Sequence, residues 1–137
     1  MYYFAYGSNL NKKQMKKRCK DSVFVKKMVL KDYKLTFRSK YGAADIDKKT
    51  KGKVYGALYQ ISKKDEKRLD IYEEYPKLYK KLYFKANNKK IMLYIMCKKT
   101  KKMSPSTRYL NTIKQGYKDH NLKKTCLDEA LLQLKHF

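Results

Sequence analysis

The apolar segments of this chain are short, and their length restricts the fold more than any other feature. The longest continuous apolar run is IMLYIMC at residues 91–97, which is seven residues. That length suits a buried strand, whereas a membrane-spanning helix needs about 20 apolar residues. The N-terminal apolar stretch has no basic residues before it and is interrupted at Gly7. We therefore expect no membrane span and no signal peptide.

The chain of 137 residues predicts a single domain over 1–137, since this length can bury a core without disulfides. Its cysteines (Cys19, Cys97 and Cys126) are odd in number and form no C-x-x-C pair. This usage is typical of a reduced, cytoplasmic protein.

The net charge of +24 is the most conspicuous property of the composition, but it is spread along the chain. Only four of the 36 basic residues are arginine, and lysine pairs recur from residue 12 to residue 124. Nucleic-acid interfaces concentrate charge on one face and favour arginine for bidentate phosphate contacts. The pattern therefore argues against nucleic-acid binding, which stays open as an alternative supported by charge alone.

Alternation and turn residues predict six strands: Tyr2–Tyr6, Val23–Leu30, Tyr33–Phe37, Lys53–Ile61, Leu82–Ala86 and Ile91–Cys97. The last two are joined by a turn at residues 87–88. Helices are predicted after the N-cap residues Asn11, Ser62, Ser104 and Thr125. The third of these helices is expected to end at Gly116. This order of strands and short helices predicts an α+β domain around one sheet or a small barrel.

The junction between the first strand and the first helix is a candidate anion site. Gly7-Ser8-Asn9 ends the strand, so backbone N–H groups and the positive end of a helix dipole meet there. Such a junction can hold a carboxylate or a phosphate. The alternative is a plain turn, in which glycine supplies the bend and the polar side chains cap it.

The segment LDIYEE at residues 69–74 contains a candidate base. Glu73 follows Leu69 by four positions, so on a helix both side chains occupy the face that leucine buries. Burial raises the pKa of a carboxyl group and makes it a usable base near neutral pH. The alternative is that Asp70, Glu73 and Glu74 pair with the abundant lysines.

Other candidate sites have weaker support. Tyr109, in the second turn of the third predicted helix, could face a ligand or pack in the core. His120 and His136 have no cysteine or carboxylate at ligand spacing, which argues against a metal site. Ser8 lacks the G-x-S-x-G context of a hydrolase nucleophile.

Three segments together resemble the γ-glutamylcyclotransferase family: YFAYGSNL at 3–10, LDIYEEYPKLY at 69–79 and PSTRYLNTIKQGY at 105–117. The likeness spans nearly the whole chain. It implies a small mixed β-barrel surrounded by short helices. It also implies conversion of a γ-glutamyl amide, a small-molecule substrate, to 5-oxoproline and a free amine, without metal or organic cofactor.

Residue by residue, the resemblance makes Glu73 the catalytic glutamate. It makes the following residues substrate-binding: Tyr3, Phe4, Ala5, Tyr6, Gly7, Ser8, Asn9, Tyr79 and Tyr109. The chain departs from the family pattern at Glu74, where the family usually has glycine, so a shifted register with Glu74 as the base stays open. A non-catalytic binding module of the same fold is the second alternative. A monomer or a homodimer fits equally well.

Overall fold

The computed structural model describes residues 1–134 and confirms the α+β class. The strands are β1 (Tyr2–Ala5), β2 (Val23–Arg38), β3 (Ala43–Gln60), β4 (Tyr79–Ala86) and β5 (Lys89–Met96). The α-helices are α1 (Lys12–Arg18), α2 (Lys63–Tyr72), α3 (Thr107–Asp119) and α4 (Thr125–Leu134), and a short 3₁₀ turn, Ser8–Leu10, lies between β1 and α1. His136 lies outside the described residues.

The strands form one sheet with the order β2-β3-β1-β5-β4. β1 runs antiparallel to β3 and parallel to β5. The expectation of a closed barrel is wrong, because closure requires the two outer strands to pair. Within residues 1–134, β2 pairs only with β3 and β4 only with β5. β1 pairs with residues 57–60 of β3. The β2–β3 hairpin extends well beyond these residues, and β1 is too short to pair with the rest of it.

The described strands number one fewer than predicted, because β2 joins two segments that the sequence separated. Val23–Leu30 and Tyr33–Phe37 are continuous across an irregularity between Lys31 and Tyr33. Asp32 adopts a left-handed φ of 67° there, and its carboxylate accepts the N–H of Lys51 at 3.1 Å. A bulge of this kind interrupts the ladder locally and bends the strand without ending it.

Local capping chemistry placed two helix starts correctly. The side chain of Asn11 accepts the N–H of Gln14, and Ser62 forms a reciprocal capping box with Asp65. The prediction of Ser104 as a cap is wrong: Ser106 caps α3 by accepting the N–H of Tyr109 at 3.2 Å. The helix therefore begins at Thr107, after Pro105.

Gly116 was predicted to end α3, but the helix continues to Asp119. This glycine is needed instead for close packing. A Cβ there would lie 2.5 Å from the Leu10 Cβ and 2.6 Å from the Asn11 backbone nitrogen. α3 therefore packs directly on the 3₁₀ turn and fixes the N-terminal junction against the sheet. None of the helices in residues 1–134 is long and apolar enough to cross a membrane.

Candidate active site

A cavity of about 320 Å³ lies between the N-terminal junction, the end of α2 and the N-terminal turns of α3. It brings together three segments that are far apart in the chain. Its walls are formed by Tyr3, Tyr6, Gly7, Ser8, Asn9, Tyr41, Ala43, Ala44, Tyr72, Glu73, Glu74, Leu78, Tyr79, Tyr94 and Tyr109. Eight of the ten residues singled out from the sequence, all but Phe4 and Ala5, therefore line one space.

Phe4 and Ala5 are not among these lining residues. Both are fully buried in the core, where the ring of Phe4 contacts the rings of Tyr6 and Phe84. Successive side chains of a strand point to opposite faces, so Phe4 faces away from Tyr3, whereas Ala5 shares the face of Tyr3 but is buried beneath other residues. Contact of the whole segment with substrate stays a prediction.

The N-terminal junction is held in place by side chains from two helices. The Ser8 hydroxyl is 3.0 Å from the Tyr72 hydroxyl, and Arg18 donates to the Ser8 Oγ at 3.2 Å. Arg18 also donates to the Asn9 side-chain oxygen, and its guanidinium carbon lies 3.2 Å from the centroid of the Tyr72 ring. Arg18 thus ties α1, the junction and α2 together.

Gly7 lies close to Ala44 of β3. A Cβ at this position would lie 3.1 Å from the Ala44 Cβ and 3.7 Å from the Tyr109 hydroxyl. The second distance is an ordinary contact, but the first is tight, so a side chain here would require Ala44 to shift by a few tenths of an ångström. Glycine here lets the backbone enter the cavity wall.

Glu73 lies at the C-terminal end of α2, and its N–H donates to the Leu69 carbonyl at 2.8 Å. Leu69 is fully buried, so the helix presents Glu73 to the interior as its spacing predicted. Burial raises the pKa of Glu73 to about 8, against a smaller opposing effect of Arg18. A carboxyl group with this pKa can exchange a proton near neutral pH.

Glu74 also lines the cavity, and its backbone explains why a glycine would suit this position. Its φ is 51°, in the left-handed region that glycine enters without a steric penalty. The chain turns sharply here, and the N–H groups of Lys77 and Leu78 both donate to the Glu74 carbonyl at 2.9 Å. The side chain of Glu74 is exposed, whereas that of Glu73 is partly enclosed.

Two cavity tyrosines are held by the backbone of one residue of β3, Ala44. The Ala44 N–H donates to the Tyr109 hydroxyl at 3.0 Å, and the Tyr79 hydroxyl donates to the Ala44 carbonyl. The Tyr109 proton is therefore free for a ligand. Next to Ala44, the fully buried Asp45 accepts the Met96 N–H at 2.9 Å.

Tyr3 is arranged in the same way as Tyr109. Its hydroxyl accepts from the Asn9 side-chain nitrogen at 3.0 Å, which leaves the hydroxyl proton available. Burial raises the pKa of Tyr3 and of Tyr109 above the ordinary value of 10.0. Both phenols are thus neutral donors at physiological pH.

The remaining sequence candidates lie elsewhere. His120 is buried, and its Nε2 is 3.1 Å from the Tyr59 hydroxyl. Across residues 1–134, no three His, Cys, Asp or Glu side chains form a cluster that could hold a metal ion.

Sequence reasoning did not single out Arg18, Tyr72 or Tyr94 as site residues. Tyr72 immediately precedes Glu73, so the LDIYEE segment already contained it. Arg18 is one of only four arginines in a lysine-rich chain, which was the available clue. Tyr94 belongs to a continuous apolar run and carries no local indication of its role.

Comparison with known proteins shows the family of the chain. A family model described as gamma-glutamyl cyclotransferase, AIG2-like, matches residues 3–117. The chain belongs to this family. The match includes all the cavity residues. Comparison with curated protein sequences gives no significant match.

Several solved structures share the fold. A protein named gamma-glutamyl cyclotransferase superposes with a TM-score of 0.76 at 24% identity, covering 95% of this chain and 85% of that chain. The human protein loc79017 gives a TM-score of 0.75 at 25% identity, covering 94% and 85%. YkqA from Bacillus subtilis gives 0.77 at 22% identity, covering 98% of this chain and 54% of that chain.

Proposed function

We propose that this protein is a γ-glutamyl cyclotransferase that converts a γ-glutamyl amide to 5-oxoproline and a free amine. The observation that carries the proposal is the position of Glu73, a carboxyl group whose pKa is raised to about 8, in a cavity shared with Tyr3, Ser8 and Tyr109. Membership of the family supports the reaction class.

In the proposed reaction, the α-amine of the glutamyl group attacks its own γ-carbonyl carbon and closes a five-membered ring. Both reacting groups belong to one molecule, so the cavity must mainly fold the chain into an attacking conformation. The amine is mostly protonated at neutral pH, and the Glu73 carboxylate takes its proton. The tetrahedral intermediate then breaks the original amide C–N bond as Glu73 gives its proton to the leaving nitrogen. The ring nitrogen still carries a second proton, which passes to the Glu73 carboxylate and from there to the free amine, so the amine leaves as an ammonium ion. No water is consumed.

Negative charge develops on the γ-carbonyl oxygen as the ring closes. The free hydroxyl protons of Tyr3 and Tyr109 and the backbone N–H groups at Gly7 and Ser8 are the proposed donors to this oxygen and to the α-carboxylate. The Tyr79 hydroxyl donates its proton to the Ala44 carbonyl and is not free for a ligand. Its proposed role is to hold Ala44, the residue of β3 that also binds Tyr109.

The test is incubation of the purified protein with γ-glutamyl-alanine and with γ-glutamyl-ε-lysine, with 5-oxoproline measured by chromatography. Release from either substrate by the wild-type protein, and its loss in Glu73→Gln, supports the proposal. Absence of 5-oxoproline with every γ-glutamyl amine tried, although the ligands bind, would favour a binding module of the same fold.

A further inference from the structure

A basic groove adjoins the cavity, and the proposed reaction does not use it. The groove has a volume of about 640 Å³ and is lined by Ser8, Asn11, Lys13, Gln14, Lys17, Tyr72, Ser106, Arg108, Tyr109 and Thr112. Ser8, Tyr72 and Tyr109 also line the cavity, so the two spaces meet at these residues. A substrate that reacts beside Glu73 would reach the groove by passing these shared side chains.

The charges of the two spaces are opposite. The cavity wall contains Glu73 and Glu74 and no lysine or arginine, whereas the groove contains Lys13, Lys17 and Arg108 and no carboxylate. Within residues 1–134, these three cations form no ion pair. Their charges are unneutralised by protein groups and are available to a ligand.

The groove has a fixed frame. Lys13 and Lys17 lie four positions apart on α1, so they occupy one face of that helix. Asn11, at the base of the groove, is held by its bonds to the Gln14 N–H and to the Thr112 carbonyl. The N-terminus of α3 opens onto the same space, with Ser106 as its cap and no acidic residue in its first turn.

From these observations we infer that the leaving part of the substrate is an acidic peptide chain that carries several carboxylates into this groove. The inference rests on the proposed function and narrows its substrate class. Neighbouring fixed cations raise the local concentration of a polyanion and favour it over a neutral chain of the same length. The γ-glutamyl group would occupy the cavity, and the carboxylates of the leaving peptide would contact Lys13, Lys17 and Arg108.

The experiment compares γ-glutamyl-glutamyl-glutamate with γ-glutamyl-alanyl-alanine, which has the same length but lacks the side-chain carboxylates. At low ionic strength, we expect kcat/KM for the acidic substrate to be about tenfold higher, with the difference in KM. The double variant Lys13→Glu and Lys17→Glu should abolish this preference. The double variant Lys48→Glu and Lys49→Glu, at exposed positions within β3 where Lys48 pairs with Tyr33, changes the net charge equally and should retain the preference.

Equal kcat/KM for the two substrates overturns the inference. Equal loss of the preference for the acidic substrate in both double variants also overturns it, because the preference would then depend on the overall charge. Binding of the two peptides to Glu73→Gln, measured by calorimetry, decides the matter independently of turnover. Preferential binding of the acidic peptide that requires Lys13 and Lys17 supports the groove even when no 5-oxoproline forms. In that outcome the proposed function fails and the inference about the groove's ligand holds.

Discussion

Glu73 and Glu74 are consecutive residues, and both line the same cavity. Residues one position apart on a regular helix point about 100° apart and do not share one wall. Here α2 has ended at Tyr72, and the left-handed φ of 51° at Glu74 turns the chain back around the cavity. The two carboxylates differ in environment: Glu73 is partly enclosed and its pKa is raised to about 8, whereas Glu74 is exposed. This difference assigns them different expected roles.

Glu73→Gln should lower kcat by about 10²- to 10⁴-fold, the usual contribution of a positioned acid–base group. Glutamine keeps the shape of the side chain and removes only its ability to exchange a proton. Glu74→Gln is the matched control and should retain activity within a few-fold. Activity of Glu73→Gln close to that of the wild type would exclude the proton shuttle. Selective loss in the Glu74 variant would instead indicate the shifted register.

The rate of cyclisation should depend on pH through Glu73. The carboxylate form accepts the substrate proton, so kcat should rise with pH and level off above about 8. Arg18 lowers the pKa of Glu73, so Arg18→Gln should move the inflection to higher pH, whereas Arg18→Lys should move it less. Initial rates of 5-oxoproline release across pH 5 to 10 measure this. An inflection that is unchanged in Arg18→Gln would contradict the assignment of the titration to Glu73.

Burial of Glu73 should also destabilise the protein in a defined pH range. Its pKa is raised from 4.5 to about 8 on folding, so the unfolded chain releases this proton first as the pH rises. The free energy of unfolding should therefore fall between these two pH values. Glutamine cannot ionise. The free energy of unfolding of Glu73→Gln should therefore exceed that of the wild type by at least about 1 kcal/mol at pH 8 and equal it near pH 4. Urea unfolding at both pH values checks this. The same difference in the free energy of unfolding at pH 4 and at pH 8 would refute it.

The left-handed backbone at position 74 predicts a stabilising substitution. Glu74→Gly should raise the free energy of unfolding by about 0.5–1 kcal/mol, because glycine avoids the Cβ penalty at positive φ and loses part of that gain to chain entropy. Glu74→Ala retains the Cβ and should give no such gain. Thermal unfolding of both variants measures the difference. A larger gain for alanine than for glycine would show that removal of charge, not backbone strain, is responsible.

Local chemistry was enough to predict several elements. The capping box of Ser62 and Asp65 and the turn at Asn87 and Asn88, both with left-handed φ, depend on neighbouring residues only. Glu73 was found in the same way, because its distance from Leu69 fixes which helix face it shares. These features involve residues no more than four positions apart.

Features that depend on distant residues could not be predicted from the pattern. The contact of Arg18 with Tyr72 requires α1 and α2 to meet through the fold, and no spacing encodes it. The open sheet is a matter of which strands pair, and the strand pattern of the sequence does not show that β2 and β4 stay apart. Ser104 and Ser106 carry the same capping chemistry, so local sequence alone does not decide which of them caps α3.

Gly116 connects the stability of α3 to the geometry of the site. Gly116→Ala would place a Cβ 2.5 Å from the Leu10 Cβ, so α3 and the 3₁₀ turn must separate. We expect a loss of about 1–3 kcal/mol in the free energy of unfolding, as for other overpacked sites. Lys114→Ala, on the exposed face of α3, is the control and should change stability by less than about 0.5 kcal/mol.

The same substitution should raise KM for a γ-glutamyl amide, because Leu10 ends the turn that carries Ser8 and Asn9 into the cavity wall. Urea unfolding and steady-state kinetics on the two variants separate the effects. A stable Gly116→Ala protein with unchanged KM would show that the junction tolerates a shift of α3. Loss of both stability and substrate affinity would confirm that the packing of α3 on the 3₁₀ turn holds the N-terminal junction in place.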